Sequence, residues 1–341
     1  WYMCGDLYEI DPITLETKGV QDYNGTLTSK AMAHVKVDEH ANEMMFFDYE
    51  LTQPYLAYGV INGNGNVKHF TKIPTPGPRI PHDLGITENY SILMDLPLIY
   101  DLQLMMKIGR AIPVFKKDMP SRFGVIPRFG GPEDVKWFEA NPCYIYHTIN
   151  AWEEGDEIVM DCCVNDDPTP QKELPKGASA VEKLNEYLRL KAYMHRYRFN
   201  LKTGETKEYR LDDLVTEFPL MNSQYLGRQS RYAYNQRFDL SQTLRFDAIV
   251  KYDTEADTTQ TYAYGKNKFG SESPFIPREN AQSEDDGYVI SFVTDAVEGT
   301  SEVVILDAQN MNQEPLARIE LPQRVPLGFH GCWVNGDRLF S

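Results

Sequence analysis

The sequence predicts an all-β fold, a sandwich or a propeller rather than a parallel sheet, on three observations. Short runs that alternate apolar and polar residues recur along the chain. They are separated by turn chemistry, Asn-Gly, Thr-Gly and stretches rich in Asp and Asn, which closes neighbouring strands into hairpins. Helical periodicity is confined to a few segments.

Taken in order, DPITLET (11–17) and DEHANEM (38–44) read as turns, and INGNGNVKHF (61–70) sets Asn-Gly pairs between alternating residues. Residues 73–83, rich in Pro, Gly and Asp, read as a loop. The apolar LPLIYDLQLMMKI (96–108) and PEDVKWFE (132–139), whose Pro132 suits a first helical turn, are helix candidates. Cys162 and Cys163 in IVMDCCVND should point to opposite faces of one strand as small buried groups. After a second loop at 164–177, ASAVEKLNEYLRL (178–190) is a helix capped by Ser179, with Val181, Leu184 and Leu188 on one face. YRFNLKTGETKEYRL (197–211), VKYDTEADTTQTYAY (250–264) and VVILDAQNMNQEPLARIEL (303–321) repeat the hairpin plan. No linker divides the chain, so one domain over residues 1–341 is expected.

With 341 residues, 42% hydrophobic and 12% aromatic, the chain can bury a sizeable core. A net charge of −16 with no run of Lys or Arg excludes nucleic acid as a partner class. Five cysteines without CxxC spacing fit reduced thiols and a cytoplasmic location. No stretch is long and apolar enough to span a bilayer. The sequence starts at Trp1 inside what reads as a strand, which leads us to expect that an N-terminal part is missing.

Four histidines sit inside distinctive phrases: His34 in AMAHVKVDEH, His82 in PHDLGIT, His147 in YHTINAWEEGDE and His330 in VPLGFHGCW. They are 48, 65 and 183 residues apart, so no single helix or hairpin brings them together; a ring-shaped β architecture could, with each on the inner strand of a different repeat. Neutral imidazole is a ligand for iron, copper, zinc and nickel. Residue type alone does not distinguish such a set from ordinary strand and loop histidines. His40, His69 and His195 are read as turn or strand residues, exposed or hydrogen-bonded. Glu153 and Glu154 are read as solvated turn carboxylates.

Together these phrases and RFGVIPR, TEFPLMN and GSESPF resemble the carotenoid cleavage oxygenase family, which includes the lignostilbene dioxygenases and the retinoid isomerohydrolase. The resemblance runs from residue 11 to residue 330. It implies a seven-bladed β-propeller with a helical cap and one Fe(II) held by His34, His82, His147 and His330. It implies that Glu217 and Glu272 orient ligand imidazoles, since a second ring nitrogen needs an acceptor. A third glutamate of the family falls on Met3, a departure that leaves one ligand less firmly held. It further implies a dioxygenase that cleaves a C=C bond of an apolar conjugated substrate with O2, giving two carbonyl products. A carotenoid or apocarotenoid is favoured. A stilbene-like phenylpropanoid is the alternative, weakened because Tyr2 stands where its relatives carry a phenol-binding lysine. An isomerohydrolase, and an inactive fragment or binding protein, remain open. The apolar run 96–115 is expected to border a substrate tunnel and is a candidate for peripheral membrane contact. Phe129, Trp137, Tyr146 and Trp152 are candidate tunnel aromatics, with core packing the default.

Overall fold

The computed structural model describes residues 4–109, 113–169, 175, 177–241 and 244–339. The described residues are nearly all-β, with 27 strands and three short α-helices, α1 (Leu102–Ile108), α2 (Ala180–Tyr187) and α3 (Gly336–Leu339). Met3 and Tyr2 lie outside the described residues.

Five antiparallel sheets follow one another along the chain, each a meander in sequence order. The first runs through Lys36–Asp38, Glu43–Tyr49, Tyr55–Asn62 and Val67–Pro74. The second comprises Gly85–Ile86, Tyr90–Asp95, Ser121–Pro127 and Lys136–Ala140. The third comprises Tyr144–Glu154, Glu157–Asn165, Ala192–Asn200 and Thr206–Arg210. The fourth comprises Thr216–Leu220, Tyr232–Phe238, Phe246–Asp253 and Thr258–Ala263. In the fifth, Lys268–Phe269 and Phe275–Pro277 both pair with Gly287–Asp295, followed by Ser301–Asp307 and Ala317–Glu320. The predicted turns at 11–17, 38–44 and 62–66, and the three later hairpins, all join paired strands.

The alternation of side chains along each strand explains how the sheets stack. Leu93 packs with Met45, Phe47 and Tyr58 of the first sheet, while its neighbours Ile92 and Met94 pack with Ile145, Met160 and Tyr197 of the third. Cys162 faces the second sheet and Cys163 the fourth, as their adjacency predicts. A further core joins Tyr234 and Ile249 of the fourth sheet to Val289 and Val304 of the fifth. Each inner sheet is therefore buried on two faces. The last strands, such as Thr206–Arg210 and Ala317–Glu320, are mostly exposed and polar.

Two helix expectations are corrected. Residues 132–139 form one 3-10 turn, Pro132–Asp134, and then the strand Lys136–Ala140. Phe138 sits opposite Phe123, and Trp137 opposite Gly124, where a side chain's Cβ would come within 3.0 Å of the indole; cross-strand aromatic packing outweighs the helix start. Residues 96–108 split into the strand Leu98–Tyr100, paired with Pro113–Phe115, and α1. Asp101 makes the break by accepting from Leu104 N at 3.0 Å. The helix at 178–190 forms as α2, and Ser179 Oγ accepts from Glu182 N at 3.1 Å while Glu182 Oε2 accepts from Ser179 N at 2.7 Å, a reciprocal cap.

Candidate metal centre

The four phrase histidines meet at the inner strands. His34 and His82 lie just ahead of the first strands of the first and second sheets. His147 lies on the first strand of the third. Glu217 lies on the first strand of the fourth, and Glu272 between the first two strands of the fifth. The first strand of the third sheet packs against those of the second and fourth. His330 arrives on an irregular segment after the last strand of the fifth sheet.

Backbone irregularities in two of the sheets aim these side chains. The pairing of Tyr144–Glu154 slips between Ile145 and Thr148, and again between Thr148 and Asn150, flanking His147. A bulge re-aims a side chain that a regular ladder would fix. The fourth sheet slips between Glu217 and Leu220, where Phe218 has φ 50°. A left-handed phenylalanine costs about 1–2 kcal/mol. In exchange, Phe218 N donates to Glu217 Oε2 at 2.5 Å, and the Phe218 ring lies 4.9 Å from that of His147 and 5.3 Å from that of His330.

The imidazoles converge closely. His34 and His82 Nε2 are 3.1 Å apart. The His34 ring centroid is 4.8 Å from those of both His147 and His330, and the His147 and His330 centroids are 5.1 Å apart. Potential ligand atoms of His34, His147 and His330 all lie within 4.8 Å of one another. Burial holds the pKa of His34 down to about 2 and that of His82 down to about 3, so both rings stay neutral. Burial also opposes protonation of His147, but the Glu217 carboxylate outweighs it and raises the pKa above the ordinary value.

These residues fit a cation. His147 Nδ1 donates to Glu217 Oε2 at 2.5 Å, which fixes the proton there and leaves a lone pair on Nε2. That Nε2 is buried and without a partner, a cost a bound metal removes. His330 Nδ1 donates to Glu272 Oε1 at 3.2 Å, and Glu272 Oε2 accepts from Gly331 N at 2.8 Å. Glu217 is fully buried and Glu272 nearly so.

The cluster forms one wall of an apolar cavity of about 320 Å³, lined by His82, His147 and His330 with Ile80, Leu98, Tyr144, Tyr146, Leu190, Phe218 and Phe329 among others. Tyr144 turns its hydroxyl to Ile80 O at 2.7 Å, presenting its ring to the cavity. From the described parts of the run 96–115, Leu98 and Pro113 line the cavity.

Of the candidate aromatics, Tyr146 lines the cavity. Phe129, Trp137 and Trp152 instead lie beneath the cations of Lys68, Arg122 and Arg196. His40 and His69 are bonded to Gln224 O and Gly130 O at 2.8 and 2.9 Å. His195 departs from expectation: its Nε2 is buried without a hydrogen-bond partner, and burial lowers its pKa to about 4. Glu153 is on a strand rather than in a turn, and accepts from Thr87 Oγ1 at 2.7 Å and Asn89 N at 2.8 Å; Glu154, beside it, pairs with Arg198. Sequence reasoning missed Phe218, Leu190 and Phe329. The only signal for Phe218 was its place after Glu217 in TEFPLMN.

The profile of the retinal pigment epithelial membrane protein family, RPE65, matches residues 3–335. A carotenoid 9,10(9',10')-cleavage dioxygenase of Crocus sativus is 38% identical over 341 residues, covering 95% of this chain and 61% of that protein. The chain thus spans about three fifths of the plant dioxygenases it matches, 62% of the Pisum sativum enzyme. Isoeugenol monooxygenase of Pseudomonas putida is 32% identical over 349 residues, 96% of this chain and 70% of that protein. The crystal structure of a Pseudomonas brassicacearum lignostilbene dioxygenase superposes with a TM-score of 0.85 at 28% identity, over 97% of this chain and 72% of that one. A cobalt-substituted Synechocystis apocarotenoid oxygenase gives 0.87 at 23% identity, over 98% and 71%, a likeness of fold alone.

Proposed function

The chain belongs to the retinal pigment epithelial membrane protein family, the carotenoid cleavage oxygenases, and on that footing we propose that it is an Fe(II)-dependent dioxygenase cleaving a C=C bond of a carotenoid or apocarotenoid to two carbonyl products. One observation carries this reading: converging imidazoles, one with a buried unpartnered Nε2, form the wall of a cavity whose other walls are apolar. We read the five successive sheets as blades of a seven-bladed propeller with His34, His82, His147 and His330 on its axis, within a single domain.

Bound iron supplies the activation of O2 beside the alkene. The protein's own contribution is position. Tyr144, Leu190 and Phe218 confine a flat apolar chain and exclude water. Glu217 and Glu272 hold the Nδ1 protons of His147 and His330, keeping Nε2 available to the metal. Among the described residues, Tyr144 and Tyr146 are the cavity's only polar residues besides the histidines.

A second reading, a phenylpropanoid or stilbene substrate, is favoured by the 32% identity to isoeugenol monooxygenase and by a cavity of about 320 Å³, at the small end of ligand pockets. We also infer peripheral membrane contact through α1, where Leu102 is 43% and Met106 78% exposed beside the cavity-lining Leu98 and Pro113, in an otherwise cytoplasmic protein. No described helix is long and apolar enough to cross a membrane.

The test is metal content of anaerobically purified protein beside a His147→Ala variant, followed by turnover of carotenoids, apocarotenoids and phenylpropanoids under ¹⁸O2. One iron per chain, absent from the variant, with label in both carbonyl products is the expected result. Products without label from O2 indicate isomerohydrolase chemistry. Wild type that stays iron-free after Fe(II) addition refutes the enzyme reading in favour of a binding protein.

A further inference from the structure

The segments that carry His34, His82 and His147 are tied together by side chains one or two positions beyond each ligand. Lys36 Nζ lies 2.9 Å from both carboxylate oxygens of Asp83. Asp83 Oδ2 also accepts from Thr148 N and Thr148 Oγ1, each at 2.8 Å. Asp83 Oδ1 accepts from Leu84 N at 2.8 Å. Asp83 is 1% exposed and the Lys36 side chain 16%.

A buried ion pair adds little net stability, because desolvation opposes its Coulombic gain. What it supplies is direction, and here that direction is shared by three sheets. His147 and His330 have their rings held by Glu217 and Glu272. Among the described residues no carboxylate bonds to the ring of His34 or His82, and His82 Nδ1 is buried without a partner. Among the described residues, what ties these two ligand segments down is the contact between their neighbours Lys36 and Asp83.

We propose that Lys36, Asp83 and Thr148 form a brace that positions His34, His82 and His147 for metal binding. It does for the first two, through the main chain, what Glu217 and Glu272 do for the other ligands through the ring. The inference rests on the metal-centre reading above. All three are positioning residues. The paired charges of Lys36 and Asp83 cancel, so the brace acts by geometry. This gives it a signature opposite to that of simple electrostatics. An Asp83 carboxylate stripped of Lys36 stands beside His82 and attracts a cation, so charge alone predicts tighter metal binding in Lys36→Met. The brace predicts weaker binding.

The test titrates the full chain with Co(II) against a competing chelator and records the visible ligand-field spectrum, with far-ultraviolet circular dichroism as the fold control. Lys36→Met and Asp83→Asn should weaken Co(II) binding about 10–100-fold and alter the spectrum. Lys36→Arg, which keeps charge and donors, should restore both. Lys36→Met, at the partly exposed end, decides the question if Asp83→Asn does not fold. A folded Lys36→Met with unchanged spectrum and equal or tighter affinity overturns the brace. Wild type that takes up no Co(II) overturns the metal centre and the brace together. Wild type that binds Co(II) but, loaded with Fe(II), cleaves nothing overturns only the proposed activity, and the cobalt comparison still decides the brace.

Discussion

Glu217 should matter more to the metal than Glu272, and the two bonds say by how much. The His147–Glu217 contact is 2.5 Å between a buried ring and a carboxylate with 0% exposure. The His330–Glu272 contact is 3.2 Å, and the His330 side chain is 34% exposed. A hydrogen bond to a charged group contributes about 1.5–3 kcal/mol and a neutral one about 0.5–1.5. Glu217→Gln keeps the shape and an acceptor but removes the charge, a difference of about 1–1.5 kcal/mol, or roughly 5–10-fold in metal dissociation constant. Glu217→Leu also frees the Nδ1 proton to move to Nε2, the atom the metal needs, and should cost about 10–100-fold. At the longer, wetter Glu272 contact, water replaces part of what Glu272→Gln loses, so its effect should be smaller. Chelator competition with Co(II) at one pH, on variants whose circular dichroism matches wild type, measures each constant. Equal binding by Glu217→Leu and wild type, or a larger loss in Glu272→Gln than in Glu217→Gln, would refute the orientation argument.

Three further outcomes follow from the same structure. His195 is held neutral, with its pKa lowered to about 4, while the unfolded chain titrates near the ordinary value. Below about pH 6.5 only the unfolded state gains the proton, so stability falls as pH drops toward 4, by about 2 kcal/mol at pH 5. In His195→Gln, urea midpoints at pH 5 and 7.5 should differ less than in wild type; an identical slope removes His195 as the cause. Gly287→Ala places a Cβ 2.4 Å from Ile276 O and 2.6 Å from the Phe275 ring, and since backbone cannot step aside the cost should be about 1–3 kcal/mol, visible as a lower Tm. Leu190→Trp fills part of the cavity beside the histidines; substrate KM should rise and long substrates should suffer most, with metal content unchanged, and unaltered selectivity would place the substrate elsewhere.

Much of this was legible in the residues. Hairpins announced themselves wherever turn chemistry was local, as at Asn62–Asn66, and Ser179 marked a helix start unaided. The four converging histidines were legible because their phrases are distinctive, although their convergence depends on contacts between residues far apart in sequence. What stayed hidden was set by such contacts alone. Trp137 and Phe138 look compatible with a helix until Gly124 and Phe123 face them. Phe218 reads as an ordinary strand residue, because a positive φ at a bulge leaves no compositional trace. The Lys36–Asp83–Thr148 contacts join three phrases that are each readable while their mutual bonds are not. The same holds for Glu153, whose role depends on Thr87 and Asn89 across a sheet boundary.

The wide spread of the ligands also sets the timing of assembly. His34 and His330 stand near opposite ends of the described chain, and a ribosome delivers the first long before the last. Domains begin to organise while synthesis continues, so the early sheets, which carry three of the four imidazoles, can form before the fourth is made. On the proposed metal centre, the full set of ligands exists only once His330 is delivered, and insertion of a metal would be a late event. The half-open ring of His330, on a segment outside the sheet ladders, is where a door for it would stand. Loss and replacement of the ion in the finished protein should follow the same route, at a rate governed by how readily that last segment swings away.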